Sequence, residues 1–219
     1  MGKEFETFIK IFNFIFEGIL EVIYPWESYC IICGEDYCNG LCLRCKNSIN
    51  KIDYNTGHKI NSYGYYGGIL KELILKFKYH NDFTAGDILA DFLSEYIENN
   101  FIYDDFVITY IPMSKKAKKK RGFNQCKYLC KRISMNLNIE YKEVLIKNKE
   151  NKEQKRLKYN ERYDNVKGVF KIKDNISIKK LIVIDDVTTS GATMDEAWKI
   201  LKKYGASEIK LLTLAKSQI

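Results

Sequence analysis

Residues 181–198, LIVIDDVTTSGATMDEAW, constrain this chain more than any other stretch. The apolar run Leu181–Ile184 ends in Asp185 and Asp186, and a turn of small residues, Thr188-Thr189-Ser190-Gly191-Ala192-Thr193, leads into a helical pattern. The apolar run reads as a buried strand and the segment after the turn as a helix. Two adjacent carboxylates at the tip of a buried strand are a poor choice for stability, so they point to a ligand. The turn supplies hydroxyls, a glycine free to take unusual φ, and backbone N–H groups at a helix N-terminus, which together suit a phosphate dianion. The carboxylates just upstream suit sugar hydroxyls or a hydrated Mg²⁺. A phosphate at one end and a diol with metal at the other describe a ribose 5-phosphate. Neither a G-x-x-x-x-G-K-[ST] loop nor a G-x-G-x-x-G loop is present.

Upstream, KINSYGYYGG reads as a strand and turn, and ILKELILKFKYH and AGDILADFLSEYIE as helices. DDFVITYIPMS reads as a strand halted by Pro112, and KKAKKKRGFNQCKYLCKRISMNLN as a basic loop feeding a helix. KEVLI is expected to form a third strand, followed by a long polar segment to about residue 170. KKLIVIDDV and EIKLLTLAK are strands flanking the helix TMDEAWKILKKYGA, which Gly205 stops. Strands alternating with helices imply an α/β fold with a mostly parallel sheet covered on both faces. Such sheets bind ligands at the carboxyl ends of their strands, where Asp185 and Asp186 stand.

Five of the seven cysteines lie in CIICGEDYCNGLCLRC. Cys30/Cys33 and Cys42/Cys45 form two C-x-x-C knuckles, the pattern of thiolate ligands for a structural, tetrahedral Zn²⁺. Four thiolates leave no open position for catalysis. Cys38, between the knuckles, is an alternative ligand. Cys126 and Cys130, spaced i, i+4, read as small core residues.

The first 25 residues are apolar, but Glu6, Lys10, Asn13, Glu17 and Glu21 fall on one helical face. That stripe excludes a membrane span and a secretory signal, and predicts an amphipathic helix ended by Pro25. Such a helix docks on the protein itself, on a partner or on a membrane surface. The domains expected are therefore a helix over 1–25, a zinc-ribbon-like module over 26–54 and the α/β domain over 55–219. Without an export signal the expected location is the cytoplasm, where thiols stay reduced. With 46% hydrophobic residues the 219-residue chain can bury a core, which excludes disorder. The net charge of +8 favours anionic partners: phosphate ligands, nucleic acid or an acidic membrane. The run KKAKKKR, residues 115–121, is either a solvated tip or an anion contact. No aromatic residues are interleaved with it in the sequence, so base-stacking recognition is not expected. His58 and His80 read as incidental.

VIDDVTTSGATM resembles the phosphoribosyl pyrophosphate (PRPP) signature of type I phosphoribosyltransferases. The order CIIC…CLRC, ILKELILKFKYHND, IPMSKKAKKKRGFNQ, QKRLKYNERYDNVKGVF and then this loop resembles the ComF family of competence-associated proteins, from about Pro25 onward. Ser190 departs from the threonine usual in the loop but keeps the hydroxyl. The resemblance implies a type I phosphoribosyltransferase-like Rossmannoid core carrying a small N-terminal four-cysteine zinc module. It implies that Asp185 and Asp186 engage the ribose hydroxyls, directly or through Mg²⁺. Thr188, Thr189, Ser190, Gly191, Ala192 and Thr193 would hold the 5-phosphate, and Met113, Ser114 and Lys115 would face the pyrophosphate. Arg121, Asn124 and Gln125 would line the cleft. Gln154–Asn165 would be a mobile loop with Arg156 and Arg162 as anion contacts. The implied function is PRPP and Mg²⁺ binding in DNA uptake, with phosphoribosyl transfer to an unidentified acceptor. The alternatives are a non-catalytic adaptor of a DNA translocase or helicase, and a zinc protein that simply binds nucleic acid.

Overall fold

The computed structural model describes residues 29–54, 57–148, 166–173 and 179–217. The helix expected over residues 1–25 lies outside them, as do Arg156 and Arg162. The chain divides into two units, Met1–Asn47 and Ser48–Ile219. Residues 48–54, assigned from sequence to the cysteine module, fall in the second unit. There Ile52 donates its N–H to the Tyr63 carbonyl and Tyr65 donates to that of Asn50.

The described part of the first unit is a pair of tight turns and one short helix, α1 (Leu43–Asn47). Tyr29 and Asp36 form an antiparallel bridge, and Ile31 donates to the Gly40 carbonyl, which folds the second knuckle back on the first. Gly34 (φ 75°) and Gly40 (φ 72°) turn the chain in the left-handed region beside the knuckles, where a side chain would be strained.

In the second unit five strands form a parallel sheet in the order β1 (Ile60–Tyr65), β7 (Glu208–Lys216), β6 (Lys180–Thr188), β2 (Val107–Tyr110) and β3 (Glu140–Tyr141). The third strand expected at KEVLI instead becomes β4 (Leu145–Lys147), which pairs antiparallel with β5 (Phe170–Ile172) in a separate two-stranded sheet. Only Glu140 and Tyr141 extend the main sheet on that side. The sheet's edge is short: past Tyr141, Lys142 still donates to the Ile108 carbonyl of β2 at 3.1 Å.

Helix α2 (Gly68–His80) buries Leu70, Leu73, Ile74 and Phe77. It packs on α3 (Phe83–Asn100), and the break between them is encoded locally: Asn81 takes the left-handed conformation at the C-cap, and Asp82 accepts from Ala85 N–H at 3.0 Å to start the next helix. Gly86 lies where a Cβ would stand 2.6 Å from the Phe77 ring, so the two helices meet at a glycine. The basic run expected as a loop is a helix, α4 (Lys115–Arg121), capped by Ser114 and ended by Gly122 at φ 81°. A second helix, α5 (Gln125–Leu137), starts directly after it, with Asn124 as its cap.

Two apolar layers result. Leu181 and Val183 of β6 pack with Met194, Ala197 and Leu201 of α6 (Ala192–Lys203) and with Leu145 and Phe170 of the small sheet. Ile182 and Ile184 alternate with them and are wholly buried, while α5 packs against β2 and β6. The central strand β6 thus runs between two covered faces, and its C-terminal end is where the carboxylates emerge.

Candidate functional site: an acidic pair beside a small-residue loop

Strand β6, read from sequence as KKLIVIDDV, carries the carboxylates within it and continues to Thr188. Asp185 pairs in register with Thr213 of β7, and Ile111, just past β2, donates to the Ile184 carbonyl at 3.0 Å. The backbone under the pair is therefore held from both sides. After Thr188 the chain turns through Gly191, whose φ of 80° is left-handed and whose missing Cβ would lie 2.8 Å from Ile60 Cδ1. Asp185, Thr188, Thr189, Ser190, Gly191, Ala192 and Thr193 line one shallow pocket at the start of α6. The structure thus brings together seven of the residues singled out from sequence.

The two carboxylates have different surroundings. Asp186 is held at every oxygen: Val187 N–H donates to Oδ1 at 2.6 Å, while Lys78 Nζ and Gln125 Nε2 each lie 2.7 Å from Oδ2. Burial alone would raise its pKa, but the Lys78 ammonium, with Gln125 helping, holds it below the usual carboxylate range. Lys78 answers in kind: burial would lower its pKa, and Asp186 keeps it above the ordinary lysine value. Asp185 accepts from Asp186 N–H at 2.9 Å and from Cys126 Sγ at 3.6 Å, and among the described residues it makes no ion pair. Burial first, and the neighbouring Asp186 charge second, push its carboxyl up to about 7. Cys126 is buried among these carboxylates and stays a thiol, its pKa pushed well above the ordinary value.

Gln125 adds a second feature. Its Nε2 faces the Asp186 carboxylate, which forces the amide orientation, and its Oε1 is buried with no hydrogen-bond partner among the described residues. A buried acceptor without a donor beside an acidic pair fits a ligand hydroxyl or a bound water.

The other residues expected at the site have different employment. Ser114 Oγ accepts from Ala117 N–H at 3.0 Å and Asn124 Oδ1 accepts from Lys127 N–H at 3.1 Å, so both are helix caps here. Met113 is half-buried and Lys115 opens α4; neither lines the loop pocket. The Arg121 guanidinium lies 5.5 Å from the Tyr79 ring centroid. Beside it, Phe83 packs on Phe123 and Tyr128, and Tyr79 and Phe83 are each nearly half exposed. An aromatic partner absent from the basic run in sequence is thus supplied to Arg121 by Tyr79 of α2. His58 and His80 are exposed and lie outside the acidic cluster.

Lys78 joins the acidic pair from α2 without a sequence motif to mark it. It follows Ile74 by four residues and Phe77 by one, on the helix stripe that faces the core, where a lysine is out of place unless paired.

In the first unit the Sγ atoms of Cys30, Cys33, Cys42 and Cys45 all lie within 4.8 Å of one another, and Cys33 and Cys42 are 3.6 Å apart. A tetrahedron with Zn–S bonds of about 2.3 Å has edges of about 3.8 Å, so the set fits the metal. Cys38 stands aside, donating to the Glu35 carbonyl at 3.4 Å. Burial opposes ionisation of Cys30, yet the amides of Cys42, Cys33 and Ile32 outweigh it and bring the thiol down to about 6.

A parallel sheet whose central strand delivers an acidic pair to a small-residue loop at a helix start defines a phosphoribosyltransferase-like α/β domain, and the phosphoribosyl transferase domain model matches residues 124–218. Competence protein ComFC of Streptococcus pneumoniae is 30% identical over 152 residues, 69% of this chain and 65% of that protein. Competence protein F of Haemophilus influenzae is 27% identical over 210 residues, covering 82% of this chain and 91% of that protein. The DNA utilization protein YhgH of Escherichia coli is 26% identical over 111 residues, half of this chain. Among solved structures, adenine phosphoribosyl transferase from Trypanosoma brucei aligns with 80% of this chain and 78% of its own, at 11% identity and a TM-score of 0.40. The competence proteins ComFC and F, with the domain match, support a ComF-like, phosphoribosyltransferase-like protein.

Proposed function

We propose that this chain binds PRPP with Mg²⁺ at the β6–α6 loop and serves DNA uptake in natural competence. The observation that carries the ligand is the single pocket formed by Asp185 and residues 188–194. A phosphate on the loop N–H groups leaves the ribose beside Asp185, an arrangement that suits a diol. Mg²⁺ would be held by Asp185, through water or directly, together with the ligand's own phosphates, and would supply charge neutralisation of a pyrophosphate leaving group. The chain's own part is to orient the ribose and to fix the 5-phosphate. A transfer to a nitrogenous acceptor needs no nucleophile from the protein, since the acceptor supplies the attacking atom. The names of the relatives support the setting: two are competence proteins and one a DNA utilization protein.

Pyrophosphate release from PRPP and Mg²⁺ across a panel of bases and amines tests the transfer. Turnover with one acceptor is expected of an enzyme. PRPP binding without turnover on any acceptor leaves the adaptor role, in which the ligand site serves a DNA translocase or helicase. In that case loss of transformation in a folded Asp185→Asn variant ties the site to uptake.

A second reading has its own observation: Arg121, ending the basic helix α4, lies against the exposed Tyr79 ring, a combination suited to single-stranded nucleic acid. Strongly salt-dependent affinity for a single-stranded oligonucleotide, lowered by Tyr79→Ala, is the expected result. Affinity unmoved by salt and by that substitution would remove this surface from consideration.

A further inference from the structure

We propose that Lys78 is the resident counter-ion of the acidic pair: it occupies Asp186 so that free divalent metal does not bind there, and metal reaches the site only together with a phosphate ligand. The clause about the ligand rests on the PRPP reading above; the exclusion of free metal does not.

The geometry is specific. Lys78 Nζ lies 2.7 Å from Asp186 Oδ2, with about a tenth of each side chain exposed. The same oxygen takes Gln125 Nε2 at 2.7 Å, and the other oxygen takes Val187 N–H. A metal ion on Asp186 must displace the ammonium or sit against it, and like charges repel strongly where water is scarce. Asp185 alone then faces the loop pocket. One carboxylate with neutral hydroxyls is a weak site for Mg²⁺, which binds through one or two carboxylates plus the phosphates of a substrate.

A purely structural role accounts poorly for this lysine. Leucine or methionine at a core-facing position of α2 would pack as well, and a buried ion pair gains little over such residues. What an ion pair adds is a defined charge and a fixed orientation. Lys78 is in that sense a positioning residue. It cuts the charge of the pair from two negatives to one and turns Asp186 toward α2 and α5.

The test uses metal alone. The full chain, supplied with one equivalent of Zn²⁺ for its cysteines, is titrated with Mn²⁺ while free Mn²⁺ is read by electron paramagnetic resonance. Wild type is expected to bind no Mn²⁺ below the millimolar range. Lys78→Met and Lys78→Gln, the latter keeping a hydrogen bond to Asp186 without the charge, are expected to bind at least about tenfold tighter. Lys78→Arg restores exclusion, and Lys78→Gln combined with Asp186→Asn abolishes the gained site. Tight Mn²⁺ binding by wild type that Asp186→Asn removes would overturn the proposal. So would folded Lys78→Gln protein binding no better than wild type. Since no PRPP is present, failure of this idea and failure of PRPP to bind are separate results.

Discussion

Asp185 and Asp186 are chemically alike and one residue apart, yet their surroundings split them into different acids. Asp186 has a lysine and stays charged; Asp185 has a buried neighbour of like charge and holds its proton up to about 7. The sign for stability follows. A carboxyl whose folded pKa is raised binds its proton in the native state after the unfolded chain has lost it, so stability falls as pH rises from about 4 to about 7. Asp185→Asn removes that titration. We expect the variant to gain on wild type as pH rises through this window, read from urea melts at pH 4.5 and pH 8. A difference unchanged between the two pH values would count against the assignment. None of this asymmetry was legible in the sequence, which offers DD as an equal pair. It arises because the partner cation comes from α2, more than a hundred residues upstream. The trace it left was a lysine on an apolar helix stripe.

The elements were more legible than the residues' roles. Periodicity placed α2, α3, α6, β1, β2 and β7, and HND between α2 and α3 carried its own stop and start in Asn81 and Asp82. The readings that changed did so for tertiary reasons. Lys115–Arg121 is a helix because Ser114 and Gly122 close its two ends, whereas charge pattern alone said loop. KEVLI left the main sheet because its pairing partner, β5, lies beyond a polar stretch and the pairing is antiparallel. The close approach of α3 to α2 gives a prediction at this scale. Gly86→Ala places a methyl 2.6 Å from the rigid Phe77 ring, and overpacking of that kind costs about 1–3 kcal/mol. A loss of that order in denaturant melts is expected, partly recovered by Phe77→Leu. An unchanged midpoint would show that the helices shift apart freely.

At the scale of the molecule, the two units are specified by different physics. The second has a core of apolar strands and helices, whereas the described part of the first buries three of its cysteines and no aliphatic side chain. We propose that this unit takes its folding energy from a bound metal. We expect one Zn²⁺ per chain by elemental analysis and, in Cys42→Ser, loss of the metal with protease cleavage confined to the first unit. A metal-free wild type that resists protease equally would exclude a structural zinc. The chain spans 65% of the length of the pneumococcal relative and 91% of the Haemophilus one. This loop and pair are proposed to form a PRPP site. Isothermal titration of the zinc-loaded chain with PRPP and Mg²⁺ tests it most directly. One PRPP per chain is expected, with binding competed by ribose 5-phosphate and weakened at least about tenfold by Asp185→Asn. No binding by folded wild type, or binding untouched by that substitution, would contradict it.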